Sequence, residues 1–100
     1  MKISVLGDLH TVSALRLAGA VGVVADAETA ASQFSEHVGR DDIAMIIITR
    51  ELAELIPQEL RRAEFERALP VLVEIPGIGD GRGLPDGALV GIAEALGLPL

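Results

Sequence analysis

Four short apolar segments recur along the chain, at residues 2–6, 21–25, 43–48 and 71–75. The longer stretches between them place their apolar residues at helical spacing. Segments rich in Val and Ile that alternate with helical stretches are typical of parallel strands joined by right-handed crossovers. The pattern therefore predicts an α/β fold with a four-stranded parallel sheet.

The third segment differs from an ordinary half-buried strand. In IAMIIIT, residues 43–49, the apolar residues are nearly continuous instead of alternating with polar ones. A strand that is covered on both faces has this composition. We therefore expect it in the middle of a Rossmann-like (receiver-like) sheet that is flanked by helices, with a further helix tethered at the C-terminus.

Capping and turn residues mark the predicted first helix, from about Thr11 to Ala18. Gly7 turns the chain out of the first strand, and Asp8 or Thr11 accepts hydrogen bonds from the free amides of the helix start. Gly19 provides a left-handed stop. We expect the leucines of this helix to pack on the sheet.

The next helices have similar punctuation. Asp26 can cap the second helix, and Gly39 ends it. One apolar stripe is expected on it: Ala27, Ala30, Ala31, Phe34 and Val38. Between the third and fourth strands, Pro57 divides two helical pieces and opens the second as its first residue. The charged residues of that second piece form a mixed-charge face that we expect to be solvated.

Beyond the fourth strand the composition changes. We expect a globular α/β domain at residues 1–76, a Gly-rich linker at 77–85, and a C-terminal helix with its tail at 86–100. The last segment carries an amphipathic stripe at i, i+3, i+4 and i+7: Leu89, Ile92, Ala93 and Leu96. Two internal glycines weaken this helix, so its stripe needs a surface, either the sheet or a partner helix. We predict the stripe as a partner-binding surface.

Charge and composition exclude several classes of function. A net charge of −7 and a sequence pI near 4.6 disfavour binding to nucleic acid or to an anionic membrane surface. The lack of cysteine excludes disulfides, zinc–thiolate sites and thiol nucleophiles. The start of the chain lacks a signal-peptide pattern, and no apolar run has membrane-spanning length, so we expect a cytoplasmic location without membrane insertion.

Asp8 and His10 follow the first strand in a spacing that resembles the corrinoid-binding D-x-H-x-x-G pattern. Ser13 occupies the position of the required glycine, which disfavours that hypothesis. A receiver domain would place a phosphoacceptor aspartate at the end of its central strand, where this chain has Thr49. The crevice near Asp8 and Thr49 remains a place for a small ligand.

Other candidate chemistry is sparse. His10 and His37 are the two histidines, too few for a metal site, and we expect each at the surface or at a helix terminus. The glycine-rich GIGDGRG, residues 77–83, is not followed by the Lys and Ser/Thr of a phosphate-binding loop. We find no catalytic constellation and predict no cofactor and no metal.

Taken together, these segments resemble the F subunit of the archaeal and bacterial V-type (A-type) rotary ATPases. GDLHTVSALRLAG at residues 7–19 resembles that family's G-D-x-D-T-V-x-G-F-R-L-A-G stretch. IIIT at 46–49, PVLVEIP at 70–76 and ALGL at 95–98 resemble its central strand, its P-x-x-V-E-I-P element and its closing segment. His10 replaces an acid, Ala14 and Leu15 replace Gly and Phe, and the last helix lacks the family's basic residues, so we expect mainly apolar docking there.

The resemblance implies a non-catalytic rotor component on the central stalk, peripheral to the membrane as part of the ATPase. It implies binding to the coiled-coil D subunit, with a C-terminal helix that lies along the D subunit or reaches towards the A and B subunits of the catalytic head. Coupling or regulation of ATP hydrolysis or synthesis, and of proton or sodium transport, would follow. The alternative is a stand-alone receiver-like domain for a small ligand or for signalling, and a βα domain of another assembly is a third possibility.

Overall fold

The computed structural model describes residues 1–77. The predicted partner-binding residues Leu89, Ile92, Ala93 and Leu96 therefore lie outside the described residues, as does the linker beyond Gly77. The described elements follow one another as β1 (Lys2–Gly7), α1 (Leu9–Leu17), β2 (Val21–Val24), α2 (Ala30–Val38), β3 (Ile43–Thr49), α3 (Arg50–Ala53), α4 (Pro57–Glu66) and β4 (Val71–Ile75).

Residues 1–77 form a four-stranded sheet in the order β2-β1-β3-β4, and all three strand pairs are parallel. In the register, Val5 pairs with Ile47, which in turn pairs with Val73. The predicted α/β fold with a four-stranded parallel sheet is confirmed. The apolar strand β3 is interior, as predicted, and it shares the middle of the sheet with β1.

The two faces of the sheet carry separate apolar clusters. Helices α2, α3 and α4 lie over one face, where the buried cluster consists of Leu6, Ala25, Ala30, Phe34, Ile43, Ile46, Ile48, Leu52, Ala53 and Ile56. On the opposite face α1 packs on a smaller cluster of Val5, Val12, Leu15, Ala20, Ile47 and Ile75. Apart from Phe34, aliphatic side chains build both clusters, in keeping with a chain that has only two aromatic residues.

Helix α1 has the predicted cap and stop residues, but it begins at Leu9, two residues before the predicted start at about Thr11, and ends at Leu17. Asp8 is the N-cap and accepts hydrogen bonds from the Thr11 amide at 3.2 Å and the Thr11 hydroxyl at 2.6 Å. Gly19 follows the helix with a φ of 105°, in the left-handed region that favours glycine. The prediction for the leucines is half wrong: Leu15 is completely buried, but Leu17 is 92% exposed. Two helical residues that are two positions apart point to nearly opposite sides.

Helix α2 begins later than predicted. The Asp26 carboxylate accepts from the amides of Glu28 at 2.9 Å and Thr29 at 3.0 Å, which closes a turn, so the helix begins only at Ala30. An aspartate that bonds the amides just ahead of it forms such turns readily. Ala27 consequently lies exposed in the turn and outside the predicted apolar stripe. Gly39 caps the helix end as expected.

The division at Pro57 is confirmed. The short α3 ends at Ala53, and Pro57 is the first residue of α4, where its missing N–H costs nothing. Leu60 and Ala63 lean against the cluster beneath α2, but within residues 1–77 α4 differs from α1 and α2 in having no buried residue. Helix α4 therefore rests on the domain without entering its core.

Candidate functional site

A crevice of about 240 Å³ opens at the carboxyl ends of the strands. Its lining residues follow β1, β2, β3 and β4: Asp8, Ala25, Thr49, Glu51, Leu52 and Gly77. The strand order reverses direction between β1 and β3, and ligands of open α/β sheets bind at such a point. The structure thus brings together Asp8 and Thr49, the two residues that the sequence placed at this crevice.

The carboxylates at the crevice lie beside the chain as it leaves β4. A Cβ built on Gly77 would meet Glu51 Oε2 at 2.7 Å and Asp8 Oδ1 at 3.2 Å. Both oxygens of Asp8 already accept hydrogen bonds from Thr11. Burial by itself raises the pKa of the Asp8 carboxyl, but the hydrogen bonds from Thr11 outweigh it and hold the pKa below its ordinary value of 3.8. Asp8 is therefore an ionised cap and is not poised to transfer protons.

Thr49 is the last residue of β3 and is 1% exposed. It stands where a receiver domain would carry its phosphoacceptor carboxylate, as the sequence indicated. Within residues 1–77, no group of three His, Cys, Asp or Glu side chains gathers closely enough to hold a metal ion. The crevice in this part of the chain thus offers two carboxylates and apolar walls.

His37 lies at a helix terminus, one of the two locations expected for it, and it is not a surface residue. It lies in the last turn of α2, as predicted for a helix terminus, but it is 3% exposed and hydrogen-bonded through Nδ1 to the Ser4 hydroxyl of β1. Burial lowers the pKa of His37 below 6.5, and the charge of Arg40 adds to this while Glu36 opposes it. The sequence spacing could have predicted this burial, since His37 follows Phe34 by three positions and therefore lies on the same face of α2. His10 is exposed at the start of α1, as expected.

The outer face of α4 is the feature that sequence reasoning missed. Phe65 is 93% exposed, whereas the chain's other phenylalanine, Phe34, is 2% exposed. Four residues at i, i+3, i+4 and i+7 form a line along the helix, which we name the α4 stripe: Gln58, Arg61, Arg62 and Phe65. Together with Glu66 they border an open depression of about 440 Å³. The helical spacing could have revealed it, but a mixed-charge face was expected only to be solvated.

Arg67, just past α4, fixes that helix to α2. Its guanidinium donates to the Val38 carbonyl at 2.9 Å. Elsewhere in the domain Arg40 pairs with Asp42 at 2.9 Å, and Arg50 lies 3.5 Å from Glu74. Arg61 and Arg62 are exposed and form no ion pair or hydrogen bond with a side chain in residues 1–77. The two arginines of the α4 stripe are therefore free to meet another molecule.

None of the helices within residues 1–77 has both the length and the apolar character that crossing a membrane requires. The described elements are short and their outer faces carry charge. The candidate surfaces of this domain are thus the crevice at the strand ends and the α4 stripe.

Comparisons with known proteins give a consistent result. The model of a family described as "ATP synthase (F/14-kDa) subunit" matches residues 3–87. The F subunit of the A-type ATP synthase from Thermococcus gammatolerans is 38% identical over 82 residues, which cover 76% of this chain and 74% of that protein. The F subunit of the A-type ATP synthase from Methanocaldococcus jannaschii is 38% identical over 78 residues, with the same coverage of 76% and 74%.

A solved structure shares the fold. The crystal structure of the F subunit of the V-type ATP synthase from Archaeoglobus fulgidus superimposes with a TM-score of 0.63 and 25% sequence identity. The match covers 74% of this chain and 95% of that one. The similarity in sequence and the similarity in structure thus point to the same group of proteins.

Proposed function

This chain belongs to the family of ATP synthase (F/14-kDa) subunits, as an F subunit of the A/V type, and from that premise we propose that it binds the D subunit of the central stalk. The resemblance stated from the sequence is thereby confirmed. In our proposal the chain is a rotor component without catalysis of its own. It contributes to ATP synthesis or hydrolysis and to ion transport through the complex of which it is part.

The observation that carries the proposal is the family match over residues 3–87, which runs through all four strands and beyond them. The segment that most resembles the family, residues 7–19, builds the fold: Asp8 caps α1, Leu15 is buried and Gly19 ends the helix. A signature that consists of cap, core and stop residues supports a binding role for the domain in preference to a chemical one.

We propose further that the C-terminal stripe of Leu89, Ile92, Ala93 and Leu96 docks on the D subunit or on the catalytic head. The spacing of these residues is that of a helix that lays its apolar face into a groove. Because the two internal glycines, Gly87 and Gly91, weaken this helix, its position is sensitive to small differences in contact energy. Regulation of hydrolysis would act through that sensitivity.

The alternative of a stand-alone receiver-like domain would use the crevice at the strand ends. Thr49 stands in place of the phosphoacceptor aspartate, and both carboxylate oxygens of Asp8 already accept hydrogen bonds from Thr11. These two observations favour the stalk function. A stoichiometric adduct of the purified chain with a phosphate donor or a corrinoid would reverse that preference.

The test of the stalk function is a mixture of the purified full chain with the D subunit of the same complex. We expect co-elution in size-exclusion chromatography, and elution as two separate species would contradict the proposal. The triple change Leu89→Ser, Ile92→Ser and Leu96→Ser tests the stripe. Val90→Ser is its matched control, since Val90 is apolar but lies off the stripe at helical spacing.

The regulatory part is tested by truncation after Gly83. The truncated chain is reconstituted into the complex, and ATP hydrolysis is compared with that of the complex that holds the full chain. A changed rate with intact assembly supports regulation by the C-terminal segment. An unchanged rate with intact assembly removes the regulatory claim and leaves the binding claim standing.

A further inference from the structure

The α4 stripe has the composition of a binding surface. Phe65 is 93% exposed on a helix that is held by the domain at its other side, where Leu60 and Ala63 lean on the core. A large apolar side chain that is flanked by arginines is the combination found at the centres of protein interfaces. The domain itself gives Phe65 almost no cover.

The residues beside Phe65 on the stripe are positively charged, whereas the chain as a whole is negatively charged. The net charge is −7, yet Arg61 and Arg62 stand beside Phe65 on the outermost face of α4. Neither forms an ion pair with a residue among 1–77, whereas Arg40 and Arg50 pair with carboxylates. Of the acids of the same helix, Glu64 falls off the stripe at helical spacing, whereas Glu66, four positions after Arg62, borders the depression beside it. The stripe itself thus carries two cationic groups and an apolar centre, with one carboxylate at its border.

We infer that the α4 stripe docks an acidic helix of another component of the same complex. In this contact an apolar residue of the partner helix covers Phe65, and carboxylates on either side of it accept hydrogen bonds from the guanidinium groups of Arg61 and Arg62. The inference rests on the proposed function only in that the partner belongs to the ATPase.

Two other occupants fit the stripe less well. A second copy of this chain in a symmetric contact would bring the same two arginines towards each other, which like-charge repulsion opposes. Nucleic acid or an anionic membrane would be repelled by the net charge of −7 that surrounds the stripe. An acidic helix satisfies both the charge and the apolar centre.

The experiment measures the affinity of the full chain for the purified complex from which this chain has been removed. We expect the double change Arg61→Glu and Arg62→Glu to weaken binding by about ten-fold or more, as for a charged pair at the centre of an interface. Phe65→Ser is expected to weaken it by about as much. Wild-type binding weakens as salt rises, and the double variant loses most of that salt dependence.

Matched controls come from α1. Arg16 and Leu17 are exposed, Leu17 to 92%, so Arg16→Glu and Leu17→Ser place one charge reversal and one exposed apolar-to-serine change on the other side of the sheet. Both are expected to bind as the wild type does. The unfolding free energy of every variant is measured beside its affinity, because the exposure of these side chains predicts that none of these changes alters folding.

A photo-crosslinking phenylalanine analogue at Phe65 identifies the occupant directly. An adduct with an acidic helix of another component of the complex supports the inference, whereas an adduct with a second copy, or with a segment that lacks acidic residues, overturns it. Unchanged affinity and unchanged salt dependence in the stripe variants overturn it as well, while the stalk function stands. If the wild-type chain does not bind the complex at all, both proposals fail.

Discussion

Helices α1 and α4 are of similar length, nine and ten residues, but they have opposite relations to the sheet. Helix α1 buries Thr11, Val12 and Leu15 and is closed by a side-chain cap at one end and a left-handed glycine at the other. Within the described residues, α4 buries nothing, has no side-chain cap and turns Phe65 to solvent. Helix α1 contributes buried side chains to the core, whereas α4 packs on the outside of the core.

The difference separates stability from presentation. Substitutions on the inner face of α1 should cost folding free energy, because Val12 and Leu15 belong to the buried cluster on that face of the sheet. Substitutions on the outer face of α4 should leave folding intact, since nothing in the domain depends on those side chains. The exposed side chains of a helix that contributes little to stability can serve contacts with a partner without a cost in folding.

The strongest test of this division is Leu15→Ala in α1. Leu15 is completely buried, so its truncation leaves a cavity and should lower the free energy of unfolding by about 2–5 kcal/mol. Urea denaturation of the full chain measures the change. Leu17→Ala is the matched control, because Leu17 is 92% exposed on the same helix, and it should change stability by less than about 0.5 kcal/mol. Equal losses would contradict the assignment of faces.

On the side of the sheet that carries α4, we expect the stability to come from α2 and its contact with β1. Ser4→Ala removes the hydrogen-bond partner of the buried His37 and should cost about 1–3 kcal/mol. Thermal or urea unfolding near neutral pH measures the loss, and Ser35→Ala, at an exposed position of α2, is the control. A cost of zero would mean that His37 is satisfied without Ser4.

The same contact predicts a pH dependence. Burial holds the pKa of His37 in the folded chain below 6.5, so the unfolded chain takes up the proton first as the pH falls. Stability should therefore be fully present above about pH 6.5 and decline below it, until the folded chain also binds the proton. His37→Asn, which does not titrate, should flatten the dependence in this window. An equal slope in both proteins would contradict the sign.

Gly22 tests how closely α1 lies on β2. A Cβ at this position would meet Val12 Cγ1 at 2.7 Å and Val5 Cγ1 at 2.8 Å. Both are branched side chains in the core, so Gly22→Ala should cost about 1–3 kcal/mol by overpacking. At Gly39, with a φ of −75°, the nearest atom would be Ser35 O at 3.5 Å. Gly39→Ala should therefore cost nothing, and if Gly22→Ala also costs nothing, α1 and β2 separate more easily than their spacing implies.

The cap of α1 has a smaller expected effect. Asp8→Ala removes the side chain that accepts hydrogen bonds from the Thr11 amide and hydroxyl and should cost about 1 kcal/mol near neutral pH. Because the pKa of Asp8 is lowered, this stabilisation is present above about pH 3.8 and is lost as the pH falls further. Asp8→Asn keeps a capping side chain without the charge, so it should retain most of the stability and lose the acid dependence. Unfolding curves at several pH values distinguish the two variants.

Phe65→Ala completes the comparison with the smallest effect. The side chain is 93% exposed, so its removal should change the unfolding free energy by less than about 0.5 kcal/mol, in contrast with Leu15→Ala. Denaturation of the full chain provides the measurement. A loss above about 1 kcal/mol would show that α4 belongs to the core, which would remove the contrast between the two helices.

The sequence predicted the fold well because its signals are local. Hydrophobic continuity identified β3 as an interior strand, and Pro57 and Gly19 marked their helix ends, since each acts through the backbone of its own segment. The beginning of α2 was misplaced because an aspartate can cap a helix or close a turn, and Asp26 closes a turn before the helix begins at Ala30.

The candidate surfaces were harder to predict because exposure depends on the whole domain. Leu15 and Leu17 are the same residue type in the same helix, and only the direction of the sheet decides which is buried. The burial of His37 needs Ser4, which is 33 positions away in the chain. Phe65 is apolar by type, and its exposure follows from how little of α4 is buried.

Within residues 1–77 the sheet has two edge strands, and both are short. Strand β2 has four residues, and the five residues of β4 lie between Pro70 and Pro76, which have no N–H to offer a passing strand. A subunit of an ATP synthase complex has other chains as neighbours, and open strand edges invite unwanted pairing between chains. The prolines at both ends of β4 confine the N–H groups that this edge offers for pairing to the five residues of the strand itself.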